Sequence, residues 1–145
     1  GEGDEDLLTY GGLAQWAGAV GARLREHARP GDRALIACEP GLALPAESSR
    51  DAYRIVQEAV GNVARHAKAS AVFIDARTAG SNLAITVGDD GCGIPPSARL
   101  ATGLGLRSMR YRAERIGGSV QIEPRAPKGT QMRLLCPVSR ALKPD

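Results

Sequence analysis

The chain has little that would bind a metal through sulfur or staple a fold with disulfides. Its three cysteines, Cys38, Cys92 and Cys136, are an odd, scattered set with no CxxC or Cys/His ligand spacing. That pattern argues against a zinc site or a disulfide frame and suits idle thiols in a reducing compartment. Aromatic residues make up only 3% of the chain, so Leu, Ile, Val and Ala must build the core. Few rings remain to stack on bases. With a net charge of only +3 and dispersed basic residues, this speaks against nucleic-acid binding. No apolar run approaches the ~20 residues of a membrane-spanning helix. The acidic start, Gly1-Glu2-Gly3-Asp4-Glu5-Asp6, is followed by no apolar signal core, so a cytoplasmic location is expected. Two phosphate-binding signatures are missing as well: GxxxxGK[ST] does not occur, and no GxGxxG follows the first predicted strand.

What is present is globular. Hydrophobic residues are 43% and charged residues 24% of 145, enough for one domain with a core and too short for two ordinary ones. Residues 1–10 read as a flexible arm, 11–138 as a single domain and 139–145 as a tail. Leu13, Trp16, Ala17, Val20 and Leu24 recur at helical spacing over 11–27, and Pro30-Gly31-Asp32 ends that helix. Arg33 to Cys38 reads as a strand. Ser48 or Ser49 would cap a second helix running to about His66. Ala71 to Arg77, a turn at Ala79-Gly80-Ser81-Asn82, and the alternating Leu83, Ile85 and Val87 predict a hairpin. Residues 90–103 read as a loop. Leu104 to Ile116 predicts a third helix stopped by Gly117-Gly118, and Ser119 to Glu123 with Gln131 to Cys136 a last strand pair. Helices on one face of a mainly antiparallel sheet follow: an α+β, two-layer α/β sandwich.

Two segments carry chemistry. In the second helix Glu58, Asn62 and His66 stand at i, i+4 and i+8 and share one face. Asn62 offers a neutral oxygen to a hard cation such as Mg²⁺, which takes few protein ligands and fills its shell with phosphates and water. Glu58 could accept a proton or orient a water. A solvated polar face explains the same stripe. Gly61 costs a helix interior ~1 kcal/mol relative to alanine; close approach of a backbone or ligand, or plain poor optimisation, would account for it.

The second segment begins at Asp89, where a strand ends in Asp90-Gly91-Cys92-Gly93-Ile94. A carboxylate there can accept from an exocyclic amine such as that of adenine, and the glycines let a flat ring approach the backbone. Gly103-Leu104-Gly105-Leu106 then opens a helix whose amide hydrogens and dipole suit phosphate oxygens. Turns that need glycine for their dihedrals are the alternative for both loops.

Taken in order, the polar helix, the DxGxG loop, the GLGL loop and a late Gly129-Thr130 resemble the N box, G boxes and terminal Gly-Thr of the GHKL ATPases. That superfamily includes gyrase-type topoisomerases, heat-shock chaperone ATPases, mismatch-repair ATPases and histidine kinases. More narrowly, Tyr53-Arg54-Ile55-Val56-Gln57-Glu58-Ala59, Asn62 and His66-Ala67-Lys68-Ala69 are similar to bacterial sensor histidine kinases that serve LuxR-type response regulators. So are Gly103-Leu104-Gly105-Leu106-Arg107-Ser108-Met109-Arg110 and Gly117-Gly118. The resemblance covers about residues 33–138.

It implies the Bergerat ATP-binding fold, ATP or ADP with Mg²⁺, and a role for each matching residue. Asn62 would ligate Mg²⁺ bridging the phosphates, with Glu58 reaching the metal through a water or acting as base toward the nucleophile. His66 and Lys68 would lie near the phosphates or ribose. Asp89 would hold the adenine amine with support from Thr130. Gly91, Gly93 and Ile94 would flank the base, and Gly103, Leu104, Gly105 and Leu106 would border the triphosphate. Residues 95–102 would be a short ATP lid. Arg107, Arg110 and Arg112 would face phosphate, a partner or solvent.

The resemblance also implies a phosphoacceptor histidine on a dimerisation helix ahead of this domain. His27 sits at a helix end beside Pro30 and is not expected to be that acceptor, and His66 belongs to the N box. The chain is therefore read as the catalytic domain of a longer kinase, monomeric alone, whose partners are the dimerisation and acceptor domain and a LuxR-type response regulator. The alternatives are an anti-sigma-factor-like serine kinase and a non-catalytic nucleotide-binding module on the same fold.

Overall fold

The computed structural model describes residues 22, 24–26, 29–38, 44, 46–93 and 105–137. The expected arm 1–10, most of the helix over 11–27 with His27, the lid over 95–102 and the tail 139–145 lie outside the described residues. So do the site residues Ile94, Gly103 and Leu104.

Five strands form one sheet: β1 (Arg33–Cys38), β2 (Ala71–Ala79), β3 (Asn82–Asp89), β4 (Ser119–Pro124) and β5 (Thr130–Pro137). Their order is β1-β2-β3-β5-β4. β1 runs parallel to β2, and every other pair is antiparallel. The parallel pair needs a crossover, and α1 (Ala46–Asn62) supplies it. The hairpin turn falls where the sequence places it, with Ala79 paired to Asn82 across Gly80-Ser81.

The helix α1 and the one that precedes β4 bury apolar stripes. On α1, Ala52, Ile55, Val56, Ala59 and Val60 recur at steps of three and four, and on α2 (Leu106–Arg115) Leu106, Met109 and Ala113 do the same. They pack on Val72, Ile74, Leu83, Ile85, Val87, Met132 and Leu134 of the sheet. β3 departs from strict alternation: Ala84, Gly88 and Asp89 are buried beside Leu83, Ile85 and Val87. The strand is central, with β2 and β5 on its two sides, and the Arg125 side chain lies against Gly88.

α1 starts at Ala46, two residues before the expected caps. Ser49 is fully buried inside the first turns, so neither Ser48 nor Ser49 caps the helix. At its other end α1 passes into a π-helical turn, Val63–Ala67, closed by Lys68 in the left-handed region. That turn winds more slowly than an α-helix, so the stripe predicted from Glu58 to His66 does not continue at α-helical pitch beyond Asn62. The side chain of His66 lies outside the described residues. α2 ends as expected. Gly117 has φ +73, its N–H donates to Glu114 O, and the N–H of Gly118 donates to Ala113 O at 2.8 Å, which is a Schellman stop.

This topology gathers one end of the molecule. α1 runs through its π turn and Lys68-Ala69-Ser70 into the start of β2. Val72 of β2 pairs with Asp89, and Gly88 pairs with Gln131, so the end of β3 and the start of β5 at Thr130 lie beside the end of α1.

Candidate functional site

Asp89 is the most buried carboxylate in the described structure, 2% exposed. Its Oδ1 accepts the Gly91 N–H at 2.8 Å. Burial pushes its pKa above the ordinary aspartate value, while the Gly91 and Thr130 backbones and the charge of Arg125 hold it partly down. Beside it stands a buried side-chain oxygen with no hydrogen-bond partner, Thr130 Oγ1. Gly129 closes over this pair with φ +110, and a Cβ there would collide with the Asp89 carbonyl. Gly91 is buried, and Gly93 lies within ordinary contact of the Gly129 carbonyl.

Asp90 faces the other way and staples the loop. Its Oδ1 accepts the N–H groups of Ser70 and Ala71, each at 2.9 Å, and its Oδ2 accepts the Ser70 hydroxyl at 2.9 Å. The Ala71 and Ser70 bonds hold its pKa below the usual value, because they favour the charged form. Asp90 thereby fixes the end of β3 to the segment leaving α1.

The second half of the site lies between the helices. A cleft of about 320 Å³ is lined by Arg54, Gln57, Glu58, Arg65, Ser108, Met109 and Arg112. Arg65, in the π turn, donates to Glu58 Oε2 at 3.3 Å and to Asn62 Oδ1 at 3.4 Å. It thus joins the two residues of the predicted stripe. A Cβ on Gly61 would stand 2.8 Å from Arg65 Nη1, the far end of a flexible side chain that can shift aside. Across the cleft Glu58 touches Gly105, which caps α2 with φ +76 and no side-chain bond to the first turn. Lys68 lines a larger cavity of about 730 Å³ instead, together with Arg65, Arg33 and Ser70.

A buried acid with a spare hydroxyl beside it, and an acid linked to an amide through an arginine near a glycine-led helix start, thus stand on a sheet that carries its helices. The family model of histidine kinase-, DNA gyrase B- and HSP90-like ATPases matches residues 47–140, more than half of the chain. The chain belongs to this ATPase family. Its relatives include the sensor histidine kinase LiaS of Bacillus subtilis, 41% identical over 86 residues, which are 59% of this chain and 24% of that protein. YxjM, a sensor histidine kinase of the same organism, is 37% identical over 94 residues, 65% of this chain and 22% of that protein. The chain thus spans about a quarter or less of the length of these relatives. Among solved structures, the histidine kinase domain of the EL346 blue-light activated histidine kinase from Erythrobacter litoralis superposes with a TM-score of 0.74 at 22% identity, over 89% of this chain and 62% of that one. That likeness concerns the fold.

The expected site residues that are described fall into two groups, apart from Lys68, which lines the other cavity. Asp89, Gly91, Gly93 and Thr130 gather where β3 ends and β5 begins, and Glu58, Asn62, Gly105 and the buried Leu106 gather at α1 and the start of α2. These residues fit a purine nucleotide: the unpartnered Thr130 Oγ1 and the Asp89 carboxylate form a buried polar pair that a base or a water can satisfy. Reading the sequence missed Arg65, which its spacing of three residues from Asn62 and seven from Glu58 could have signalled. It also missed Arg125, whose guanidinium lies 4.3 Å from the Phe73 ring centre and whose charge acts on Asp89. Of the four α2 arginines, Arg107 and Arg110 are exposed, while Arg112 and Arg115 pair with Asp51 at 3.0 and 3.2 Å. Among the described residues no helix is long and apolar enough to cross a membrane. The Cys136 thiol is buried, which pushes its pKa up to about 11, as suits an unreactive core residue.

Proposed function

We propose that this domain is the ATP-binding catalytic part of a two-component sensor histidine kinase, which transfers the ATP γ-phosphoryl group to a histidine on a separate dimerisation domain. The observation that carries the reading is the buried Asp89 carboxylate beside the unpartnered Thr130 hydroxyl. Asp89 would accept the adenine amine and Thr130 would complete the contact. Glu58, Asn62 and Arg65 would meet the phosphates, with the amides at the start of α2 opposite. Mg²⁺, when bound, would be held by Asn62, with Glu58 reaching it through a water, and would neutralise phosphate charge.

In the reaction the acceptor imidazole nitrogen bonds to the γ-phosphorus as the bond to the β,γ-bridging oxygen breaks, leaving ADP. Glu58 orients that imidazole or takes its proton. Positioning and charge neutralisation carry most of such a step. His66 would serve the phosphates or ribose, and Lys68 would do so only from the neighbouring cavity that it lines with Arg65. Ile94, Gly103 and Leu104 would complete the base and triphosphate contacts, and residues 95–102 would form the lid. Residues 11–138 would be the folding unit, monomeric alone and cytoplasmic. The Gln57-Glu58-Ala59 and Gly103-to-Arg110 segments favour a LuxR-type response regulator as the final acceptor. The names of the relatives favour a histidine acceptor over the serine of an anti-sigma-factor-like kinase.

The test uses ATP labelled at the γ-position and a supplied dimerisation domain carrying the acceptor histidine. Mg²⁺-dependent, acid-labile label on that domain is expected, with none on this chain alone. Asn62→Ala should abolish the Mg²⁺ dependence while sparing some nucleotide binding. Absence of nucleotide binding, or phosphohistidine formed by this chain alone, would overturn the assignment.

A further inference from the structure

Asp51 takes no part in the site, yet it is a carboxylate only 5% exposed. Each of its oxygens meets a different arginine of α2: Oδ1 lies 3.0 Å from Arg112 Nη1 and Oδ2 lies 3.2 Å from Arg115 Nε. Burying a charge is costly unless it is paired and hydrogen-bonded, and here both oxygens are engaged. The arginines occupy the last turn of α2, where positive charge also suits the helix dipole.

Asp51 and Glu58 stand seven residues apart on α1, two helical turns and about 10 Å along one face. Asp51 holds the C-terminal end of α2 through Arg112 and Arg115, and Glu58 abuts its N-terminal cap, Gly105. The helices therefore run antiparallel, and α1 fixes α2 at both ends. Between the two points they share the cleft that Arg112 itself lines. A side chain that sets where α2 sits also sets where its first amides point.

We propose that Asp51 is a positioning residue for phosphate binding: through Arg112 and Arg115 it registers α2 so that the amides after Gly105 meet the nucleotide phosphates. The proposal rests on the nucleotide reading above and adds a residue about two turns from that site. Asp51 acts only through α2. The adenine end, built from β3 and β5, does not depend on it.

ADP is titrated into the wild-type domain and into Asp51→Asn, and the backbone amide resonances of Gly91 and Leu106 are followed by NMR. The expected result is a Kd raised about fivefold or more, with the ADP-induced shift at Gly91 kept at saturation and the shift at Leu106 lost or reduced. Asp51→Glu, which keeps the charge, should recover part of the Leu106 response. Should Asp51→Asn fail to fold, Arg115→Gln removes one partner at an exposed position, and the same split is expected at smaller size. A Kd within about twofold of wild type, or equal loss of both responses in a folded variant, overturns the proposal, since a merely structural role would weaken both ends alike. If the wild-type domain shows neither response, the nucleotide reading itself fails, and Asp51 positions nothing.

Discussion

Glu58 and Gly105 are in contact across the cleft between α1 and α2. A Cβ on Gly105 would stand 2.6 Å from Glu58 Cδ, 2.7 Å from Cγ and 2.8 Å from Oε2. Gly105 also has φ +76, a region that L side chains enter at a cost of ~1–2 kcal/mol. Two independent demands therefore fall on one residue. The backbone must turn left-handed to start α2, and nothing may stand between that turn and the carboxylate.

Gly105→Ala should violate both demands. The expected outcome is a lower Tm, equivalent to about 1–3 kcal/mol, together with weaker ADP binding, because Glu58 and the α2 start must separate. Thermal unfolding and calorimetric titration would check this. An alanine variant with unchanged Tm and affinity would show that the contact is loose.

Nucleotide affinity should depend on pH through Asp89. Burial raises its pKa in the fold, above the unperturbed aspartate value of ~3.9. The ionised form is therefore disfavoured in the folded state: Asp89 costs stability at neutral pH, and that cost is relieved as pH falls through its raised folded value. Binding runs the opposite way, because only the ionised carboxylate accepts freely from an amine. ADP affinity should weaken on acidification from a higher pH than an ordinary aspartate would give. Asp89→Asn should bind more weakly at neutral pH and lose that pH dependence. Titrations at a series of pH values in both proteins would decide it, and parallel profiles would count against Asp89 as the adenine acceptor.

Much of the sheet was legible in the sequence because its signals are local. β1 is bounded by Asp32 and the Pro40-Gly41 pair, and the β2–β3 turn is written in Gly80-Ser81 between apolar alternations. The helix ends were harder. Ser48 and Ser49 look like caps, yet Ser49 is buried within α1, and no spacing rule announces that α1 finishes in a π turn. The site was legible where glycine marks it, at Gly91, Gly105 and Gly129. It was harder to read where it depends on a long side chain: Arg65 stands three residues after Asn62 and seven after Glu58, a spacing that shares their helix face, yet nothing in the sequence separates it from an ordinary helical cation. Asp51 was hidden for another reason. Its partners lie 61 and 64 residues away by number, beyond any local pattern.

Arg65→Ala should separate binding from stability. The Arg65–Glu58 pair is exposed at both ends, 42% and 36%, and such pairs contribute about 0–1 kcal/mol. Tm should therefore change little. ADP affinity should fall, since the cation nearest Glu58 and Asn62 is gone, and Arg65→Lys should restore part of it without the two-pronged geometry of a guanidinium. A large drop in Tm, or unchanged affinity, would assign Arg65 a structural role instead.

Thr130→Val should make the free protein no less stable and the bound one weaker. In the free protein Thr130 Oγ1 is buried without a partner, and an unsatisfied buried hydroxyl costs about 1–3 kcal/mol. Valine keeps the branched shape and removes that cost, so Tm should hold or rise. The same hydroxyl is what the base or its water would use beside Asp89, so ADP affinity should drop while binding of the phosphate end is untouched. A valine variant that is destabilised would show that the hydroxyl already has a partner in the free protein. One that is stabilised and still binds ADP at full strength would show that Thr130 is a core residue and that Asp89 holds the adenine without it.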